Sequence, residues 1–354
     1  MKGLSIFFLT LLLLAACKSE DDGYDTDGNS ITIVRQDLTF DPQGRTGSLE
    51  VRADGAVSVL SSSDWCTAVV NGSVINVTVT DNTNIEGRVA ILTLKSGTST
   101  LKVPVQQRGM AIATLPFNRL HAENAGSTKK YLLQHDFEAI LTTEEDWIHS
   151  EMKGDSLILK IDPNTTSQIR RGELAFSCGG IKDTLRIVQY DIQKNIVGSY
   201  YFGGDFSGSP YGVSFELYKE KGVYYMDWSS HENWEGAIFP VEFNEETCAL
   251  TIPSAMEFYF NNGDWERGYF YDTSGRVASS PAVSMTAYLY SNPMLSNATY
   301  GTLEENGSWP DHTINGFVLR MARLGGLLTQ TVFTLTDVYV MRVGPRGSQN
   351  KDSK

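Results

Sequence analysis

The sequence predicts an all-β protein: two tandem β-sandwiches followed by an antiparallel β-barrel or larger β-sandwich. Three observations predict it. From Ser30 onward apolar and polar residues alternate at period two, as in Val74-Ile75-Asn76-Val77-Thr78-Val79-Thr80, and no helical periodicity longer than about two turns competes with it. A block of residues recurs at a constant shift of 82. Of 38 aromatic residues, 27 fall between Tyr200 and Tyr339, so the last part of the chain differs in kind from the rest.

The first element is a leader. Lys2 supplies a positive charge, Ile6 to Leu14 an apolar run, and Ala15-Ala16 small residues beside a cleavage point. The run is short of the roughly 20 apolar residues that span a bilayer, so a removed signal over residues 1–16 is expected rather than a membrane helix. Leu14-Ala15-Ala16-Cys17 resembles the lipobox of bacterial lipoproteins, which implies that Cys17 is lipidated and heads the mature chain. Acyl chains contribute about 0.8 kcal/mol per buried methylene, enough together for a lasting membrane anchor. Ser19-Glu20-Asp21-Asp22 resembles the acidic tetrad that sends Bacteroidetes lipoproteins to the outer face of the outer membrane, so the expected location is the outer membrane, facing the exterior. Residues 17–29 read as a flexible acidic tether. Asp25-Thr26-Asp27-Gly28-Asn29 lacks the register of a calcium loop.

Composition narrows the function. A chain of 354 residues less its leader makes two or three domains. A net charge of −13 without a basic patch argues against nucleic acid as a partner. If Cys17 is acylated, Cys66, Cys178 and Cys248 are odd in number and far apart, so they read as small buried residues with at most one bridge.

The second and third elements are the repeat. At a shift of 82, Asp64-Trp65 matches Asp146-Trp147, Asn82 matches Asn164, Arg88 matches Arg170, Gly97 matches Gly179 and Gln107 matches Gln189. Before the Trp a shift of 77 pairs Phe40 with Phe117, predicting a five-residue insertion in the second copy. A unit of about 80 residues with short strands and tight turns suits a small immunoglobulin-like sandwich. Each Trp is expected to plug an end of its sandwich, and each Arg to anchor a turn through carboxylate or backbone acceptors. These residues resemble the BACON module, over 30–109 and 111–191. That resemblance implies a β-sandwich and an association with carbohydrate systems; with few further aromatic residues in either copy, spacer duty is expected.

The last domain, 195–343, alternates through Ile196–Phe202, Val213–Tyr218, Val283–Tyr290 and Val332–Val343, among other segments. Closing such strands into a barrel removes exposed edges. Ile196-Val197-Gly198-Ser199-Tyr200 is distantly similar to the opening of lipocalin-like barrels. Residues 344–354 are expected to be a disordered tail. Three polar loops each carry a Trp near charged or amide groups: Trp234 with His231 and Glu232, Trp265 with Asp264 and Glu266, and Trp309. Sugars need such sets, because their C–H faces stack on a ring while their hydroxyls bond to polar neighbours.

Catalytic patterns are missing. The five histidines show no zinc-binding spacing, and no nucleophile elbow or phosphate loop occurs. Asp264 and Glu266 are the carboxylates nearest to a glycosidase pair. The expectation is a non-catalytic surface lipoprotein without cofactor or metal, held on the membrane by its lipid and binding a polysaccharide through the last domain. The alternative is an adhesin-like or assembly protein docking an envelope protein. Three Trp in one concave groove would favour sugar; a flat apolar patch would favour protein.

Overall fold

A computed structural model describes residues 31–111, 115, 117–231, 234, 236–259, 265–322 and 328–346, and their regular secondary structure is almost entirely β-strand, as the alternation predicts. Cys17, the leader, the acidic tether and residues 347–354 of the tail lie outside the described residues. No helix among the described residues is long and apolar enough to cross a membrane.

The first sandwich has strands β1 (Thr32–Gln36), β2 (Thr39–Phe40), β3 (Thr46–Arg52), β4 (Ser58–Ser61), β5 (Cys66–Asn71), β6 (Val74–Val79), β7 (Arg88–Ser96) and β8 (Ser99–Gln107). They form two sheets, β1-β3-β6-β5 and β2-β8-β7-β4. Alternation sends Leu49, Ile75, Val77, Leu92, Leu94 and Val105 into the space between the sheets, where each is fully buried. The hairpins β5–β6 and β7–β8 turn on Gly72 and Gly97, at φ of 62° and 58°, a conformation that penalises a Cβ.

The second sandwich has β9 (Arg119–Ala122), β10 (Ser127–Leu132), β11 (Ala139–Thr142), β12 (Ile148–Lys153), β13 (Ser156–Ile161), β14 (Arg170–Cys178) and β15 (Ile181–Gln189), in sheets β10-β13-β12 and β11-β14-β15-β9. Its register corrects one expectation. Phe40 lies opposite Gln107 in the parallel pair β2–β8, and Ala122 lies opposite Gln189 in β9–β15. Thr46 pairs with Thr78, and Thr128 with Lys160. Every one of these positions is displaced by 82, so the second copy has no five-residue insertion. The true counterpart of Phe40 is Ala122. Phe117, which precedes β9, packs edge-on against Tyr131 with centroids 4.8 Å apart.

The repeated polar residues build one network twice. Arg88 Nε donates to Gln107 Oε1 at 2.9 Å and Arg170 Nε to Gln189 Oε1 at 2.8 Å. The same guanidiniums donate to the carbonyls of Thr80 and Asp162 and lie over the rings of Trp65 and Trp147, each at 4.3 Å. Gln107 Nε2 donates to the Pro42 and Thr80 carbonyls, Gln189 Nε2 to those of Glu123 and Asp162. Each Arg thus anchors its turn through backbone acceptors. Cys66, Cys178 and Cys248 are buried and free, and burial pushes the Cys248 thiol up to about 12.

After a π-helical turn at Ile192–Ile196 the chain enters twelve further strands: β16 (Gly198–Phe206), β17 (Ser209–Glu220), β18 (Val223–Asp227), β19 (Ile238–Asn244), β20 (Ala249–Pro253), β21 (Met256–Tyr259), β22 (Trp265–Asp272), β23 (Ser284–Tyr288), β24 (Tyr290–Asn292), β25 (Ala298–Glu305), β26 (Ile314–Ala322) and β27 (Leu328–Gly344). The order β27-β16-β17-β18-β19-β20-β23-β25 returns to β27 through the pairs Tyr300–Met341 and Thr302–Tyr339, which closes an eight-stranded barrel. The first half of β27 instead pairs with β26, which continues through β22 to β21 as a flank. Tyr200, Phe202, Phe215, Met226, Trp228, Phe270 and Phe317 fill the interior.

This barrel and the second sandwich belong to one compact unit, separate from the first sandwich. Ile169, Val188 and Tyr190 of the sandwich join the barrel's apolar core. Tyr190 donates its hydroxyl to the Glu245 carbonyl at 2.8 Å, and Asn195 donates to the Ser167 carbonyl at 2.7 Å.

Candidate functional site

The sequence points to three tryptophans, and the strands separate them. In β22 the alternation turns Glu266, Gly268, Phe270 and Asp272 inward and Trp265 and Arg267 outward. Gly268 must stay small, because a Cβ there would come within 2.2 Å of the Phe317 ring. Trp234, on the β18–β19 connection, is only 4% exposed. Its Nε1 donates to Glu266 Oε2 at 3.2 Å, His231 stacks on it at 4.2 Å, and Phe258 lies 4.7 Å away. Trp234 therefore offers no free face for a sugar; its large apolar ring gains more from the barrel core. Burial also raises the Glu266 carboxyl above the ordinary range. Trp265 lies on the opposite face of the same strand, half-buried, with the Arg267 guanidinium 4.4 Å over its ring and Glu257 ion-paired to Arg267. Glu232 and Asp264 lie outside the described residues.

Trp309 sits at the other end. The β22–β26 pair runs from Trp265–Ala322 to Asp272–Ile314, so the loop before β26 opens roughly 23 Å along the strand from Trp265. There Trp309 stacks on His312 at 4.1 Å, and His312 Nδ1 donates to Asp272 Oδ2 at 2.5 Å. Ser274 and the Arg276 N–H also donate to Asp272, and together these bonds hold its carboxyl well below the usual range. The three tryptophans do not converge in one groove.

A different aromatic surface lies on the outside of the barrel. Tyr300, Met341, Tyr201 and Ser214 stand in register across β25, β27, β16 and β17, and Thr302, Tyr339, Gly203 and Gly212 form the next outward row. The Tyr339 ring lies against Gly203, where a Cβ would come within 2.7 Å of it. Tyr300 stacks on Tyr339 at 5.2 Å, and Tyr290 meets Tyr300 edge-on at 5.8 Å. Tyr201 is 43% exposed and Tyr290 41%. Met341 also borders a depression of about 690 Å³ with Lys194, Leu295 and Val343, rimmed by Met294, which is 94% exposed. Sequence reasoning passed over these tyrosines. One signal was available: Tyr200-Tyr201-Phe202 is aromatic at three consecutive strand positions, so alternation must send the middle ring out.

Comparison with known proteins bears on the sandwiches. Residues 55–108 and 138–190 each match the BACON family model, described as "Putative binding domain, N-terminal". Both matches close on the last strand of a sandwich, just after Gln107 and Gln189. Comparison with curated proteins gives no significant match. Among solved structures, an endo-fucoidan hydrolase from glycoside hydrolase family 107 is 11% identical, with 48% of this chain and 29% of that chain covered and a TM-score of 0.25. A Bacteroides ovatus GH5 xyloglucanase in complex with a heptasaccharide is 20% identical over 27% and 22% of the two chains, with a TM-score of 0.22. A titin domain tandem is 10% identical over 63% and 94%, with a TM-score of 0.34. The chain thus spans less than a third of the two hydrolases, and these likenesses carry no argument about activity.

Proposed function

We propose that this is a lipid-anchored, non-catalytic protein of the outer cell surface in which two BACON-type sandwiches space a β-barrel that binds an extracellular glycan. The observation that carries the reading is the outward row of tyrosines on the barrel, with Tyr201 and Tyr290 each about two-fifths exposed. Tyrosine joins an apolar ring face to a hydroxyl that donates and accepts, which matches the two chemistries of a sugar ring. Gly203 leaves the room in which the Tyr339 ring lies against the sheet, so that ring forms part of the face.

Affinity electrophoresis of the full chain through a series of polysaccharide gels tests the reading. Retardation by at least one polysaccharide is expected, reduced about tenfold in affinity when Tyr201 and Tyr290 are both changed to Ala. No retardation in any gel, or retardation untouched by the double change, sinks it. The exposed Met294, on the rim of the depression that Met341 borders, favours a second reading, docking of an envelope protein there. Loss of a cell-surface crosslink in a Met294→Asp variant, with gel retardation intact, would favour that alternative.

A further inference from the structure

The outer face of the sheet β11-β14-β15-β9 carries a groove of about 700 Å³ that the barrel's Glu246 and Thr247 overhang. Its floor is a charged row. Glu173, Arg186 and Arg119 face one another in register across β14, β15 and β9. Arg186 Nε pairs with Glu173 at 3.2 Å, while Arg119, directly beside it, is exposed and has no ion pair among the described residues. Glu144 and Thr143 stand on the far wall. A cleft of this size falls within the roughly 300–1,000 Å³ that small-ligand sites occupy.

The chain contains its own control. The first sandwich builds the same sheet, and the positions 82 residues before Arg119, Glu144, Glu173 and Arg186 hold Asp37, Ser62, Ile91 and Pro104. No arginine stands there, and the carboxylate of Asp37 is bound to Arg45 at 2.8 Å. The fold therefore does not require this charge pattern. Arg171 is explained by the junction, since it donates to the carbonyls of Leu289 and Thr247. Glu145 is explained by the Trp147 Nε1 that donates to it at 3.0 Å. Among the described residues Arg119, Glu144 and Glu246 have no such structural duty, and Arg186 has only its exposed pair with Glu173.

We infer that this groove is a second binding site, for a saccharide unit that bears a carboxylate. Two adjacent guanidiniums suit a carboxylate, which accepts their parallel N–H bonds. Glu144, Glu246 and the threonine hydroxyls need O–H donors and acceptors, and a uronic acid ring supplies both next to its carboxylate. An acidic peptide supplies the anion and backbone N–H donors, but its side chains lack the hydroxyls that both donate and accept beside Glu144, Glu246 and Thr143. The site is independent of the tyrosine face.

Isothermal titration of the full chain with trigalacturonate tests it, with the methyl ester as a control that keeps the ring and removes the charge. Binding of the acid that weakens with added salt is expected, and about tenfold weaker binding of the ester. Arg119→Ala with Arg186→Ala should lose about tenfold or more in affinity, and Arg186→Gln part of that, with thermal unfolding unchanged because both side chains are exposed. Tyr201→Ala with Tyr290→Ala should leave trigalacturonate binding intact, so failure of the barrel reading and failure of this one are distinguishable. Equal affinity for acid and ester, binding of neither, an unaltered Arg119/Arg186 double variant, or tighter binding of hexaglutamate than of trigalacturonate overturns the proposal.

Discussion

At the scale of single residues, Glu266 and Asp272 show how one strand sets two carboxyls in opposite states. Both point inward from β22. Asp272 is surrounded by donors, so its carboxyl is held low and its contribution to stability is lost as pH falls. Glu266 meets the Trp234 N–H but is raised by burial. A carboxyl raised in the folded state favours folding when protonated, so its effect is present below the unfolded value of about 4.3 and is lost as pH rises through the raised folded value. Glu266→Gln keeps an oxygen for Trp234 Nε1 and removes the charge. It should therefore raise the unfolding temperature at pH 7 by a few degrees, and the gain should shrink as pH falls toward 4. Differential scanning calorimetry across that range checks this, and an unchanged pH dependence would discard it. Residues of this kind were only half legible. Trp234 and Glu266 were singled out from two separate polar loops; that they meet, and that the pair is buried, did not follow, because loop polarity says nothing about which ring a barrel takes into its core.

At the scale of elements, the repeat was legible because its network is made of rare residue types at fixed spacing. Trp65, Arg88 and Gln107 recur as Trp147, Arg170 and Gln189, and each triplet closes the same turns. The supposed insertion came from matching one Phe to another, whereas β-pairing preserves position and lets Phe40 become Ala122. Gln189 is fully buried and serves three partners, so Gln189→Leu leaves an arginine N–H and two carbonyls short of partners, at a cost of about 2–4 kcal/mol. Gln107→Leu should cost the first sandwich a similar amount. The two differ in reach. The second sandwich shares Tyr190 and Val188 with the barrel's core, so Gln189→Leu should weaken hydrogen-exchange protection in the barrel strands as well. Gln107→Leu should leave the barrel protected. Equal effects on the barrel would mean that the shared core does not couple the two elements.

At the scale of the whole molecule, the aromatic asymmetry told where recognition resides but not which rings perform it. Of the 27 aromatic residues between Tyr200 and Tyr339, many are spent filling a barrel interior, and the conspicuous tryptophans are among those held by packing or by a stacked neighbour. The exposed rings are mostly tyrosines on the outward phase of strands, Tyr201 and Tyr290 among them, where loop-borne tryptophans give no hint of them. The Cys17 stretch remains the fixed end in this reading, and it makes anchoring separable from binding. Cys17→Ala should yield protein released from the membrane fraction, with unaltered thermal unfolding and unaltered gel retardation, because the described residues that form the barrel face and the sandwich groove all lie after residue 110. Fractionation of cells expressing the variant, followed by affinity electrophoresis of the soluble pool, measures both. Membrane retention without Cys17 would show that the anchor lies elsewhere in the chain, and released protein that no longer binds would show that the surface itself completes the site.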